Sequence, residues 1–239
     1  MSSPHEINSI TLPDFTAAMA HSPETISSHN GENGNRAQVN LGALISFNDT
    51  IPKQAFEDIS NSFLFCQLAA DNQYSRITNP NEWLSVFLNT LNTVGWITHK
   101  LSSAEKTLSG PVDWTKEVTS KMSSSVVGLV EKSINAGNRL PASSPALRIW
   151  NETISTSSGS HFLIGSSVYE NGTPAIDLNI TNFPLQIKKV GFIDWNPVYD
   201  ANMLWTIQEL NSSIYAKIRQ TIIEKLGDRP KSLIASVPL

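Results

Sequence analysis

Two histidines are the residues best suited to acid–base chemistry in this chain. Of its five histidines, only His99 and His161 lie within the region that we predict to fold. A histidine that contacts a carboxylate can act as a general acid and base near neutral pH. Asp177, Asp194 and Asp200 are the aspartates available for such a pair with His161. One hypothesis is therefore a small, cofactor-independent hydrolase or isomerase.

The two histidines are expected in different surroundings. His161 begins a predicted strand at the open end of a hairpin, which favours an exposed position at the rim of the sheet. His99 alternates with Ile97 and Leu101 in another predicted strand, so it is expected to share their apolar face. A histidine in such a place is typically a hydrogen-bonded core residue. A structural role for His99 therefore competes with a catalytic one.

A pair of aspartates offers a second kind of chemistry. Asp194 and Asp200 flank a predicted turn over residues 195–199. Two carboxylates that point into one cleft are what glycoside hydrolysis requires. Aspartates beside a turn more commonly accept hydrogen bonds from the turn backbone. We favour that structural interpretation and keep the pair as an alternative.

Cys66 is the single cysteine, so no disulfide can form within the chain. A cysteine beside a histidine can serve as a nucleophile. Cys66, however, lies at helical spacing between Phe63 and Ala70 on a predicted apolar face. On such a face a free thiol behaves as a small hydrophobic group. We therefore expect core packing, with a catalytic or modified thiol as the alternative.

Composition and motifs argue against several classes of protein. The chain has a net charge of −4, and charged residues make up only 16% against roughly 25% in an average protein. It carries no basic stripe of the kind that binds nucleic acid. It also lacks the glycine-rich phosphate loops, the Gly-x-Ser-x-Gly motif and the His-Glu-x-x-His motif. We expect no cofactor, no metal and no nucleic-acid partner.

Tryptophan is the least ordinary feature of the composition, since the chain has six. Most of them are expected in the core, because each buries a large area. Trp96 and Trp205 could instead line an apolar pocket, with Gly165 and Ser167 leaving room for a ligand or for a closely packed helix. The function that we predict is a non-catalytic binding or interaction protein with an apolar, aromatic-lined pocket for a small hydrophobic ligand or partner.

Five helices are predicted from apolar residues at spacings of three and four. Proline and asparagine mark the starts of several, and glycine marks three ends. The predicted helices cover residues 52–70, 80–94, 114–136, 145–155 and 212–226. The caps of the second helix are Asn79 before Pro80 and, at the other end, a left-handed Gly95.

The predicted strands lie mainly in the C-terminal half. Asn171–Gly172 is a strong signal for a two-residue hairpin turn, and it places Leu163, Gly165 and Ser167 opposite Ile180, Leu178 and Ile176. The predicted strands cover residues 39–47, 96–101, 161–169, 174–183, 185–194 and 199–208. Helices followed by a four-stranded meander predict an α+β fold, in which four to five helices cover one face of an antiparallel sheet.

The chain divides into three predicted parts. Residues 1–38 are rich in Ser, Asn, His and Gly and are predicted to be a disordered tail, residues 39–230 form a single domain, and residues 231–239 form a short tail. No window is apolar enough to cross a membrane, and the N-terminal residues lack the apolar run of a secretory signal. We expect a cytoplasmic protein. An exported effector or toxin-like protein is the third hypothesis, with the N-terminal tail as its delivery segment.

Overall fold

The computed structural model describes residues 3–14, 34–108, 113–156, 158–183, 192 and 199–239. Within these residues the chain forms an α+β fold of eight helices and eight strands. The helices are α1 (Pro4–Ser9), α2 (Lys53–Asp71), α3 (Pro80–Thr93), α4 (Trp114–Thr119), α5 (Ser124–Asn138), α6 (Pro145–Thr153), α7 (Ser212–Leu226) and α8 (Arg229–Leu233). The strands are β1 (Arg36–Asn40), β2 (Ala43–Phe47), β3 (Trp96–Leu108), β4 (Ser155–Thr156), β5 (Gly159–Glu170), β6 (Thr173–Phe183), β7 (Tyr199–Leu210) and β8 (Ile234–Val237).

The strands form one mixed sheet, which corrects the prediction of an antiparallel one. Its order is β3-β7-β6-β5-β2-β1-β8, with the short β4 paired to β5. β2 and β5 run parallel, with Ile45 opposite Gly165. The other pairs are antiparallel. The parallel pair joins segments more than 100 residues apart in the chain, so no local sequence pattern predicts this pairing.

Helices cover both faces of the sheet, whereas the sequence predicted that they cover one. α2, α3 and α7 pack on the face that carries Ile45, Leu163 and Leu178. α4, α5 and α6 pack on the face that carries Phe162 and Trp205. The central strands are therefore buried on both sides, and each face has its own apolar core.

The first predicted strand is a hairpin. β1 and β2 pair with Asn40 opposite Ala43. Leu41 adopts a φ of 54° in the turn between them. A residue other than glycine rarely takes this left-handed conformation, because its Cβ crowds the backbone. The alternation of apolar residues over 39–47 gave no sign of this turn.

The predicted β5–β6 hairpin is confirmed. Asn171 and Gly172 have φ values of 52° and 82°, as a two-residue turn of this twist requires. Leu163 pairs with Ile180 and Ser167 with Ile176. This is the register that the sequence predicted, because the turn residues fix it.

Three of the helices confirm their predicted signals. α3 has Pro80 in its first turn, and Gly95 follows its end with a φ of 100°. The predicted cap Asn79 precedes the helix, but its side chain makes no capping hydrogen bond. α6 begins at Pro145. α7 is capped by the side chain of Asn211 and ends at Gly227, whose φ is 54°.

The predicted helix over residues 114–136 is two helices, α4 and α5. The carboxylate of Asp177 in β6 accepts the backbone N–H of Ser123 at 2.6 Å, next to the first turn of α5. A negative charge at this end of a helix is favourable. A contact from a distant strand therefore sets the break, and the helical spacing alone did not reveal it.

The terminal segments carry more structure than the sequence predicted. Within the predicted N-terminal tail, α1 packs its Ile7 into the core, and β1 begins at Arg36. Within the predicted C-terminal tail, β8 pairs with β1. The predicted strand at 185–194 lies outside the described residues apart from Phe192, and β6 pairs directly with β7. No helix among the described residues combines the length and hydrophobicity needed to cross a bilayer.

Candidate functional site

The four residues of the predicted apolar pocket are divided between the two faces of the sheet. Trp96 lies on the face of α2, α3 and α7, and its indole N–H donates to Ser62 Oγ at 3.1 Å. Trp205 lies on the opposite face, where its N–H donates to the Val118 carbonyl at 2.7 Å. The structure therefore does not bring the two tryptophans together around one space.

The room expected beside Gly165 is filled by its neighbours. A Cβ at Gly165 would lie 3.0 Å from Leu178 Cδ1 and 3.2 Å from Ile176 Cδ1. Ser167 is buried, and its hydroxyl donates to the Ala175 carbonyl at 2.7 Å. The small residues in β5 thus accommodate side chains of β6.

Cys66 is fully buried in α2, and burial raises the pKa of its thiol well above the ordinary value. Thiolate is the reactive form of cysteine. We predict that the native protein does not react with an aromatic disulfide reagent at pH 8, and that one thiol reacts per chain after unfolding in guanidinium. Because Cys66 is the only cysteine, the absorbance of the released thiolate reports on this residue alone. A native reaction at the rate of a free thiol would contradict the buried placement.

His161 is 1% exposed, so the expected position at an exposed rim is wrong. β5 is a central strand between β6 and β2, and the Trp83 ring of α3 covers the imidazole with a centroid separation of 4.7 Å. Its backbone N–H donates to the Ile154 carbonyl at 2.7 Å. Its Nδ1 is buried without a hydrogen-bond partner. Substrate has no direct access to this ring.

A partly buried ion pair also contacts Trp83. Arg76 is 5% exposed, and its Nε and Nη2 donate to the two carboxylate oxygens of Asp71 at 2.9 and 2.6 Å. The indole N–H of Trp83 donates to the same carboxylate at 2.7 Å. The guanidinium also stands 4.7 Å from the centroid of the Trp83 ring. Asp71 therefore holds the end of α2, the following loop and α3 together.

The same group of side chains also forms hydrogen bonds with the β1–β2 turn. Arg76 Nη1 donates to Gln67 Oε1 at 3.2 Å, and Gln67 bonds the Gly42 N–H and the Asn40 carbonyl. A Cβ at Gly42 would lie 2.0 Å from Arg76 Nη1, so the guanidinium occupies the place of a side chain. We call Asn40, Gly42, Gln67, Asp71, Arg76, Trp83 and His161 the Arg76 cluster.

Electrostatics keep the imidazole of this cluster neutral. Burial, with a smaller contribution from the Arg76 charge, lowers the pKa of His161 well below its ordinary value. A neutral, buried imidazole could accept a proton only from a group beside it. The acidic group in the cluster, Asp71, is already bound to Arg76 and Trp83. The cluster is therefore built for holding elements together.

The remaining acid–base candidates are separated from His161. Asp177 lies five register positions along β6 from Asn182, the partner of His161, and Asp200 accepts the Thr107 hydroxyl at 2.7 Å. Asp194 lies outside the described residues. His99 is exposed and stands 3.3 Å from a carboxylate oxygen of Glu209. The structure thus brings no predicted histidine–aspartate pair together among the residues it describes.

β3 is the longest strand of the sheet, with 13 residues, and it forms one edge. Its register with β7 shifts between Thr98 and Lys100, so His99 sits in a bulge. From Lys100 to Leu108 nine consecutive residues pair with β7 without a further shift. Among the residues that the structure describes, no strand pairs with the outer side of this segment.

Several side chains of β3 are also exposed to solvent. Ile97 is 42% and Leu101 57% exposed, which makes them two of the four large exposed hydrophobic residues in the described part of the chain. The prediction that His99 shares a buried apolar face with them is therefore wrong. The physical reason is the bulge at His99 in this edge strand. It shifts the register so that Ile97 pairs with Glu209 and Leu101 with Thr206, and the two apolar side chains therefore lie on opposite faces of the sheet.

The other edge of the sheet is protected. β8 has only four residues, packs against α5 and α6, and buries Val237. Short and covered edge strands do not recruit a further strand. Of the two edges that the described strands form, β3 is therefore the one at which the sheet can be extended.

Two of these features were not predicted from the sequence. The Arg76 cluster brings together residues from β1 and the turn after it, from α2, the following loop and α3, and from β5. Its residues do not recur at a fixed spacing. Arg76 stands in a polar stretch, and this position gave no signal of its burial. The long edge of β3 did give a signal, because residues 102–108 continue the strand without a glycine or proline.

Comparison with known proteins finds structural likeness only. No protein-family model matches the chain, and no curated protein matches it by sequence. A delta-endotoxin structure is 11% identical with a TM-score of 0.34, over 74% of this chain and 86% of that one. The activated Cyt2Ba monomer from Bacillus thuringiensis subsp. israelensis is 10% identical with a TM-score of 0.38, over 72% and 98%. The Evf virulence factor is 12% identical with a TM-score of 0.32, over 75% and 76%.

Proposed function

We propose that the protein is a non-catalytic interaction protein that binds an extended polypeptide segment along the outer edge of β3. The observation that carries this proposal is the regular run of nine residues from Lys100 to Leu108, which pairs with β7 on one side only among the described residues. Strands in globular proteins typically have about five or six residues. The edge is therefore long enough to hold a complete additional strand.

The physical basis of such binding is the backbone. Alternate N–H and C=O groups of an edge strand point away from the sheet and can bond an added strand, while side-chain pairs set its specificity. The exposed Leu101 offers apolar contact to a partner on one face of the sheet. The bulge at His99 limits the regular edge at its N-terminal end, because a bulge disrupts pairing locally.

Burial of the candidate catalytic groups favours this function over catalysis. His161 and Cys66 are both enclosed in the core, and His99 is a surface residue bonded to Glu209. The sequence also predicted a small apolar ligand. Trp96 and Trp205 lie on opposite faces of the sheet and do not form one pocket for it, so that ligand stays a prediction. The partner of our proposal is instead a polypeptide.

Two proline variants test the edge directly. Successive N–H groups of an edge strand point alternately to the neighbouring strand and to solvent. Of the two variants Ser102→Pro and Ser103→Pro, one therefore removes an N–H that points to β7 and the other removes an N–H that points to solvent. The variant whose proline replaces the inward N–H should lose stability, and the other should keep the wild-type melting temperature. The stable variant is then the one that has lost an outward donor without losing the fold.

The binding experiment uses blocked ten-residue peptides in which valine alternates with threonine, glutamate or lysine, titrated into the 15N-labelled protein. We expect at least one peptide to shift the amide signals of residues 100–108, and the stable proline variant to lose that response. Shifts confined to other elements, or none with any of the three peptides, would overturn the proposed function.

The exported effector or toxin-like hypothesis stays a prediction from the sequence. One structural neighbour is by name an endotoxin and another a virulence factor, but identities of at most 12% and TM-scores of at most 0.38 give that hypothesis no structural argument. Deleting the predicted tail and measuring delivery would test it separately.

A further inference from the structure

The two faces of the β3 edge differ in charge. Lys106 forms an ion pair with Glu117 of α4, and Ala104 packs against the core beneath α4. Lys100 alternates with these residues, so it lies on the same face. Leu101 and Glu105 fall on the opposite face by the same alternation. A strand added to β3 would therefore meet lysines on one side and a leucine and a glutamate on the other.

Two ammonium groups on the α4 face have no carboxylate partner among the described residues. Lys100 Nζ donates to the backbone carbonyl of Lys121 at 3.4 Å, and Lys121 Nζ donates to the carbonyl of Ser103 at 3.4 Å. Lys121 Nζ also lies 4.7 Å from the centroid of the Trp205 ring. Both charges thus stand beside the regular edge, whereas Glu117 already neutralises Lys106.

On the basis of the proposed function, we infer that the partner is an acidic extended segment in which carboxylate and apolar side chains alternate. Its carboxylates would face Lys100 and Lys121, and its apolar side chains would contact Leu101 on the other face. Glu105 disfavours acidic side chains on that second face, because like charges opposite each other destabilise a sheet. The charge pattern therefore also sets which face of the segment turns toward α4.

The three alternating peptides distinguish this inference from the proposed function. At low ionic strength the glutamate–valine peptide should bind about tenfold more tightly than the threonine–valine peptide, as two partly exposed ion pairs would give. The lysine–valine peptide should bind most weakly. The difference should shrink in 1 M salt, where the screening length is about 3 Å.

A charge reversal gives the sharper test. Lys100→Glu changes an exposed side chain and should keep the wild-type melting temperature. It should remove the preference for the glutamate peptide and raise affinity for the lysine peptide. The matched control is Lys217→Glu on the exposed side of α7, which changes the net charge equally and should leave the order of the three peptides unaltered.

The outcomes separate the two claims. Equal binding of all three peptides at residues 100–108 would overturn the acidic partner and leave the edge as the binding site. The same order of affinities in Lys100→Glu as in the wild type would also overturn it, because the preference would then arise from the overall field of the protein. Absence of binding by every peptide would overturn the edge itself.

Discussion

Replacing Asp71 with alanine is expected to lower the free energy of unfolding by about 3 kcal/mol, the low end of the cost of removing one partner of a buried ion pair, because the Asp71 side chain is 25% exposed. Arg76 is 5% exposed and would lose both bonds to its carboxylate. The indole N–H of Trp83 would lose its acceptor as well. Urea unfolding followed by circular dichroism measures the change.

Two further variants make the result specific. Asp71→Asn keeps an acceptor for Trp83 but removes the charge, so its loss should fall between those of the wild type and Asp71→Ala. Asp228→Ala removes an exposed carboxylate that pairs with Lys231, and it should leave the unfolding midpoint unchanged, since such pairs contribute little. An Asp71→Ala protein as stable as the wild type would show that water, and not this carboxylate, satisfies Arg76.

Acid is expected to destabilise the protein through His161. The pKa of this buried imidazole is lowered in the folded state, whereas in the unfolded chain it should be near 6.5. Below about pH 6.5 the unfolded state therefore binds a proton that the folded state does not. The free energy of unfolding should fall by about 1.4 kcal/mol per pH unit until the pH reaches the lowered folded-state pKa.

His161→Gln, which cannot titrate, should remove this dependence between pH 6.5 and 5, and His99→Gln on the exposed bulge should retain it. If His161→Gln does not fold, the wild-type imidazole can be followed by NMR. Its ring signals should stay in the neutral form at pH 5.5. Titration of His161 with a midpoint near 6.5 would show that the ring is hydrated in the native state.

Local signals in the sequence were sufficient where neighbouring residues decide the structure. Asn171–Gly172 permits positive φ at both turn positions, so it set the hairpin register correctly. Pro80 and Gly95 bounded α3 for similar reasons of backbone conformation. Cys66 at helical spacing was expected in a core and is buried there.

The predictions that differed from the structure involve pairing between distant segments. The parallel pairing of β2 with β5 depends on all of the chain between them. The turn at Leu41 is held from outside, by Gln67 and Arg76 packed against Gly42. His161 was expected at a rim because its position in the order of strands was unknown.

The sequence by itself determined the class of fold, the main helices and one hairpin, because caps, turns and apolar spacing act within a few residues. Tertiary structure decided which residues meet. It placed Trp96 and Trp205 on opposite faces, buried His161 against Trp83, and put the alternating residues of β3 in an edge strand of the sheet that the described residues form. The physical reason is that burial depends on what packs against a strand, and a strand's own residues do not specify its neighbours.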